Sequence, residues 1–402
     1  MGDSGSITVI GAGLSPNGIG LTNGTLISLD RMPEVFELDK EQGLVRVNAH
    51  MRLSDLCSLL AGQGQSLPTL GSIVEQTVGG VISTATHGSS LAVGSFSSLV
   101  RGLEIVLADG RIMDVSLDHP DFDAFSCSVG SLGVITHATL AVEPLFAVDV
   151  VKHVHDFHQV RSLLRSAGSY HHYKLWYLPQ TDQIVEWMGT KRQPPPELGG
   201  GRPPRVNSMY SFLYECFLAA TLTSPGLNTM GERIHQRFLH PLTRGLEKAE
   251  LLPYIEALTL DCLYSQHVTE FAFDLGEVEN FLVALRDELR KPGFLVHAPV
   301  EIRFGPPETS WLSPAYGRTT CWVGWVRYRP FNLEAPEDGL FSKLREIARS
   351  FGGREHWAKV PGRDASQVER CYPMHCEFEQ VRAKYDPTGK LTNFANQVKA
   401  YA

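Results

Sequence analysis

The stretch Leu70–Ser90, LGSIVEQTVGGVISTATHGSS, constrains this chain more than any other. Gly71, Gly79, Gly80 and Gly88 stand among Ser72, Thr77, Ser83, Thr84, Thr86, Ser89 and Ser90, with His87 just before the last glycine. Glycine lets a backbone approach a ligand closely and take up φ > 0, and exposed N–H groups in such turns form concave anion sites. A segment of this kind suits a flat, polar ligand that carries phosphates. The alternative is a plain surface loop.

A second glycine turn, Gly11–Gly20 (GAGLSPNGIG), follows the apolar run Ile7–Ile10, and Asp30 lies further on. The dinucleotide fingerprint G-x-G-x-x-G would need glycine where Pro16 stands. We therefore reject a nicotinamide site and read Gly11, Ala12, Gly13, Leu14 and Ser15 as a turn whose N–H groups meet a pyrophosphate. A third piece, Ser128-Val129-Gly130-Ser131-Leu132-Gly133-Val134-Ile135, again pairs glycine with serine. In Pro299–Phe304 (PVEIRF), Glu301 and Arg303 alternate with Val300, Ile302 and Phe304. Residues two apart on a strand share a face, so both charges point one way and the apolar trio faces a core. His356-Trp357-Ala358-Lys359 follows a helix-like stretch, Leu340–Phe351.

Between these motifs the pattern is mixed. Val35–Asp39 and Leu44–Asn48 flank a turn, as do Leu103–Ala108 and Arg111–Val115 around Asp109-Gly110, a strong hairpin dipeptide. Leu53, Leu56, Cys57 and Leu60 follow helical spacing. Gly133–Val142, Lys174–Leu178, Glu270–Leu275 and Cys321–Tyr328 read as strands. Val278, Phe281, Leu282, Leu285 and Leu289 predict a helix that Lys291-Pro292-Gly293 stops. The expected organisation is α+β, a sheet covered on one side by helices. The domains fall at 1–145 and 146–402, with a Pro/Gly loop at 193–204, a helical insertion over 207–260, and the tail 356–402 returning to the first domain's site.

Gly11–Gly20, Leu70–Ser90, Pro299–Phe304 and His356–Lys359, in this order and spacing, resemble the sugar-1,4-lactone oxidases and dehydrogenases (gulono-, galactono- and arabinono-lactone enzymes), FAD flavoproteins of the vanillyl-alcohol-oxidase, or PCMH, type. The resemblance spans Ile7 to near the end. It implies a two-domain fold with an FAD-binding domain and an α/β cap. It implies FAD contacts at Gly11, Ala12, Gly13, Leu14, Ser15, Gly71, Ser72, Gly79, Gly80, Ser83, Thr84, His87, Gly88, Ser128, Gly130, Gly133, Val134 and Ile135. Glu301 would bind the substrate hydroxyls and take a proton, and Arg303 would hold developing negative charge, with Lys359 and His356 assisting. The substrate is a small sugar lactone, oxidised at its C2 hydroxyl to an ascorbate-type product.

Leu14 stands where covalent-flavin relatives have histidine, so FAD is expected to be held non-covalently. Gly71 stands where galactonolactone dehydrogenases have alanine, taken to screen the flavin from O2, which favours O2 over cytochrome c as acceptor. A turn that simply needs glycine is the other reading. The family has a strand and helix before the GAGLSP loop, a unit that takes roughly 30 residues, yet Ile7 follows only six residues. That predicts a missing N-terminal unit, and it opens a second reading: a catalytically silent relative acting as a binding or assembly partner.

A net charge of −8 argues against nucleic acid, whose binding needs a basic face. The seven cysteines, Cys57, Cys127, Cys216, Cys262, Cys321, Cys371 and Cys376, form neither a disulfide framework nor a zinc pattern, and no metal is expected. Phe212–Leu222 reads as a buried helix, with peripheral membrane association through it left open. The compartment is expected to be mitochondrial or cytoplasmic.

Overall fold

Two antiparallel sheets organise the chain. The computed structural model describes residues 5–392 apart from 180, 196–197, 206–207, 224–247, 263, 292–297, 335–338 and 360–364. The first region holds β1 (Ile7–Ile10), β2 (Thr25–Ser28), β3 (Phe36–Asp39), β4 (Leu44–Asn48), β5 (Gln65–Ser66), β6 (Val100–Val106), β7 (Ile112–Ser116), β8 (Val134–Ala141) and β9 (Glu143–Pro144). β1 and β2 pair in parallel, and β3-β4-β8-β6-β7 form an antiparallel sheet. The two hairpins read from the sequence are β3–β4 and β6–β7. Helix Leu53–Gly62 buries Leu53, Leu56, Cys57 and Leu60, the stripe its spacing predicts.

The second region holds β10 (Ala147–Asp156), β11 (His172–Leu178), β12 (Gln183–Arg192), β13 (Glu250–Pro253), β14 (Gln266–Asp274), β15 (Val300–Gly305), β16 (Thr320–Tyr328) and β17 (Arg354–Glu355). They form one sheet in the order β13-β10-β12-β11-β15-β16-β14-β17. Helices Val160–Arg165, Val278–Leu289 and Leu340–Ser350 cover one face, burying Leu175, Phe271, Phe273, Ile302, Val323 and Trp325. The other face, with Val148, Val150, Trp176, Val185 and Trp187, shares a core with the first region. This is the expected α+β layering, with the sheet clasped on both sides. Double burial also explains why β12 escaped sequence reading: from Ile184 to Gly189 it is buried on both faces, so period-two alternation is lost.

Two local expectations need correction. The glycine-rich stretch is not all turn: Val78–Ser83 is a short helix. Phe212–Leu222 is helical, within Ser208–Thr223, but the helix is not buried. Tyr214, Leu218 and Thr221 turn inward while Met209, Phe212 and Leu213 stay exposed, because the helix lies against the surface along one narrow stripe. Among the described residues no helix is long and apolar enough to cross a membrane. Part of the helical insertion and the Pro292-Gly293 stop lie outside the described residues.

The tail does return to the start of the chain. Trp357, Tyr372, Phe378, Val381 and Tyr385 join the first region's core. Leu391 bridges to Ile7 in parallel, with Ile7 N donating to the Lys390 carbonyl (2.6 Å) and Thr392 N to the Ile7 carbonyl (3.0 Å). The buried Asp386 carboxylate accepts from Lys390 N and Leu391 N and so turns the chain onto β1.

Candidate active site

The end of the glycine-rich stretch is stitched directly to the second sheet. Ser90 N donates to the Phe304 carbonyl (2.9 Å), Tyr173 N to the Ser89 carbonyl (3.1 Å) and Phe304 N to Ser89 Oγ (3.1 Å). Gly88 permits this contact. A side chain there would collide with Thr69 and sit 2.7 Å from the Leu70 carbonyl, so the close approach is to the protein's own chain.

Register then decides what faces the seam. Trp176, Glu301, Gly324 and Glu270 stand side by side in one row across β11, β15, β16 and β14. Lys174, Arg303, Trp322 and Ala272 form the adjacent row. Both rows lie on the face turned to the first region, as predicted for Glu301 and Arg303. The Arg303 guanidinium donates to Ser72 Oγ, to the His87 carbonyl (3.3 Å) and to Glu301 Oε2 (2.5 Å). Burial works against its charge, but Glu301 and Glu270 hold its pKa above the usual value.

Lys359 Nζ donates to Glu270 Oε2 at 2.5 Å, and His87 Nε2 lies 3.6 Å from the same oxygen. The His87 ring stacks on Trp322 with centroids 3.8 Å apart, and the His356 ring lies 5.7 Å from it. Burial alone would raise the Glu270 carboxyl, yet Lys359, His87 and His356 hold it well below the usual carboxylate range. All four residues proposed for chemistry, Glu301, Arg303, Lys359 and His356, thus meet at one seam with Ser72 and His87. Three buried polar atoms there have no hydrogen-bond partner among the described residues: Glu301 Oε1, Arg303 Nε and His87 Nε2. Such orphans are uncommon, and a polar, hydroxyl-bearing ligand would satisfy them.

A cavity of about 310 Å3 opens in the first region, within the range of roughly 300–1,000 Å3 for cofactor sites. Gly11, Ala12, Gly13, Leu14, Ser15, Gly79, Gly80, Ser83, Thr84, Gly130, Gly133 and Ile135 line it. Val129 and Gly130 both hold positive φ at its wall (51° and 73°). That conformation is strained for a β-branched residue, and such strain concentrates at ligand sites. The glycine-lined wall and the hydroxyls of Ser15, Ser83 and Thr84 fit a dinucleotide's pyrophosphate. Ser128 and Val134 do not line this cavity, and neither do Gly71, Ser72, His87 and Gly88, which lie toward the seam. A methyl on Gly71 would stand 3.1 Å from the Thr86 methyl, so packing by itself favours glycine there.

Sequence reading missed two charged residues. Glu270 was visible only as the polar neighbour of the Phe271 and Phe273 stripe, and its place opposite Gly324 follows from pairing alone. Lys174 is buried between Trp176 and Trp187, with Nζ 5.0 and 4.5 Å from their ring centroids. Burial pushes its pKa down to about 7; Arg303 and Lys152 add to this and Glu301 opposes it. An unfolded lysine titrates near ~10.4. Between these values the unfolded chain binds a proton that the folded one does not, so stability rises with pH. Lys174→Met is expected to flatten that rise, the wild type gaining on the variant between about pH 7 and ~10. Urea unfolding at the two ends of the window checks this. Parallel curves for the two proteins would place the Lys174 charge in solvent.

Comparison with known proteins agrees with this geometry. A model of the FAD binding domain matches residues 3–116, and the D-arabinono-1,4-lactone oxidase model matches residues 138–400. The first match begins at residue 3, so the comparison lends no support to a missing N-terminal unit. L-gulonolactone oxidase of Scyliorhinus torazame is 27% identical over 96% of this chain and 88% of its own. D-arabinono-1,4-lactone oxidase of Eremothecium gossypii is 29% identical over 88% of this chain and 76% of its own. Among solved structures, a solvent-stable cholesterol oxidase superposes with a TM-score of 0.75 at 15% identity, covering 96% of this chain and 89% of that one; this likeness speaks for the two-domain fold. With a family model matched over residues 138–400, more than half of its length, this chain belongs to the D-arabinono-1,4-lactone oxidase family.

Proposed function

We propose that the protein is an FAD-dependent oxidase of an aldono-1,4-lactone, acting at the C2 hydroxyl with O2 as acceptor. The observation that carries this reading is the set of orphaned atoms at the seam, Glu301 Oε1, Arg303 Nε and His87 Nε2, beside a glycine-lined cavity. Oxidising a secondary alcohol removes a proton from oxygen and a hydride from carbon. Bound FAD supplies the hydride acceptor, held by the Gly11–Ser15 turn and by Gly79, Gly80, Ser83, Thr84, Gly130 and Gly133.

The protein's own groups handle the rest. Glu301 presents Oε1 to accept the substrate's O–H, while its other oxygen is fixed by Arg303. The guanidinium is preorganised by Ser72 and the His87 carbonyl and is placed to hold charge developing on the substrate oxygen. Glu270, fixed as a carboxylate, keeps Lys359 beside the same face. Leu14, at the cavity wall, offers no nucleophile, which supports non-covalent cofactor binding. The oxidase names of the relatives support O2, and Gly71 is compatible with it.

The test is an absorption spectrum of the purified protein, taken before and after acid precipitation, followed by addition of aldonolactones under air. Flavin bands should pass into the acid supernatant. In the native protein they should bleach with lactone and recover with peroxide release. Recovery only on adding cytochrome c would make it a dehydrogenase. A colourless protein that takes up no FAD would leave the silent-relative reading.

A further inference from the structure

We propose that His153, His155 and Glu186 form a binding site for one divalent cation of the zinc class, on the face of the second sheet opposite the active site. His153 and His155 are two apart on β10 and so share a face. Glu186 is directly across from His153 on β12. The same row continues through Leu175 and Ile302, on the helix-covered side, so the site shares no residue with the seam.

One ligand atom from each of the three lies within 4.8 Å of the others. His155 Nε2 is already 2.8 Å from Glu186 Oε2. Zinc bonds of about 2.0–2.1 Å in a tetrahedron put ligand atoms roughly 3.3 Å apart, within reach of side-chain rotation. Two imidazoles and one carboxylate are a known zinc set that leaves a fourth position open.

The surroundings fit such a role. Glu186 is buried, and among the described residues no lysine or arginine pairs with it. Its second oxygen accepts from the Tyr173 hydroxyl at 2.7 Å, the kind of outer partner that orients a ligating carboxylate. β13 pairs with β10 only over Ala147–Val150, so among the described residues the histidines stand on an uncovered strand edge where an ion can enter. The other cluster of this type, His87, Glu270 and His356, already holds the Lys359 ammonium on its carboxylate and belongs to the active site. A cation on His153, His155 and Glu186 would clamp the free end of β10 to β12.

The test uses the full-length purified protein with FAD, stripped by a chelator, then titrated with Zn2+ by calorimetry and with Co2+ by visible absorption to the red of the flavin bands. One equivalent of either ion should bind, with tetrahedral cobalt bands and a raised melting temperature. His153→Ala, at a half-exposed position, should weaken binding at least ~10-fold and abolish the melting shift, and His155→Ala should do the same. His356→Ala should leave binding intact. Undiminished affinity in His153→Ala and His155→Ala, loss of binding in His356→Ala, or no binding by the wild type would overturn the site.

Discussion

Replacing Arg303 with alanine is expected to lower kcat/KM for the lactone by about 10^3-fold, since removing one preorganised donor from a developing oxyanion costs roughly 10^2–10^3 and here a full charge leaves as well. The loss should fall mainly on kcat. The same change strips Glu301 of its cation and removes the side-chain tie to Ser72 and the His87 carbonyl. Breaking a buried pair costs about 3–5 kcal/mol, and the partial exposure of Glu301 (21%) places the effect toward the lower end. Arg303→Lys keeps the charge but cannot serve three acceptors from one planar fork, so it should recover only part of the rate. Steady-state kinetics, with flavin absorbance to confirm cofactor content, checks both variants. Activity of Arg303→Ala within ~10-fold of wild type would remove this guanidinium from the chemistry.

Glu270→Gln should act through charge rather than contact with substrate. The amide is nearly isosteric, yet it leaves the Lys359 ammonium beside His87 and His356 without a counter-ion. A cost of about 3–5 kcal/mol at neutral pH is expected for uncompensated buried charge. The pH dependence carries the sign. The folded pKa of Glu270 is depressed, so its contribution is fully present above the unfolded value of about 4.3 and is lost as pH falls through the folded value. The stability gap between wild type and variant should therefore be widest near neutrality and close in acid. Denaturant unfolding at several pH values measures it. A gap independent of pH would mean that packing, not charge, is what Glu270 supplies.

Much of the site was legible in the sequence because its parts are local. The Gly11–Ser15 turn and the Val300–Phe304 alternation each declare themselves within a few residues, and their roles came from resemblance to a family. Glu270 and Lys174 were not legible, because their meaning depends on cross-strand register: Glu270 counts because Gly324 and Glu301 share its row, and Lys174 because Arg303 shares its own. Strand β12 was hidden for a different reason, since burial on both faces erases the alternation that reveals a strand. Gly88 was read as an approach to ligand; the space a side chain would need there is filled by Thr69 and Leu70 of the chain itself.

The pairing of Ile7 with Lys390, Leu391 and Thr392 has a consequence for biogenesis. The strand that leads into the Gly11–Ser15 turn pairs early with β2, but its second neighbour arrives only when residues 390–392 have been synthesised. Asn17, at the far end of that turn, bonds to the carbonyl of Trp357, which also emerges late. A nascent chain can therefore complete its central sheets on the ribosome while the cofactor cradle still lacks the contacts from Trp357 and residues 390–392. Flavin capture becomes a post-translational event, and a C-terminal tag or early stop would be felt at the N-terminal turn, as protein that folds but stays colourless.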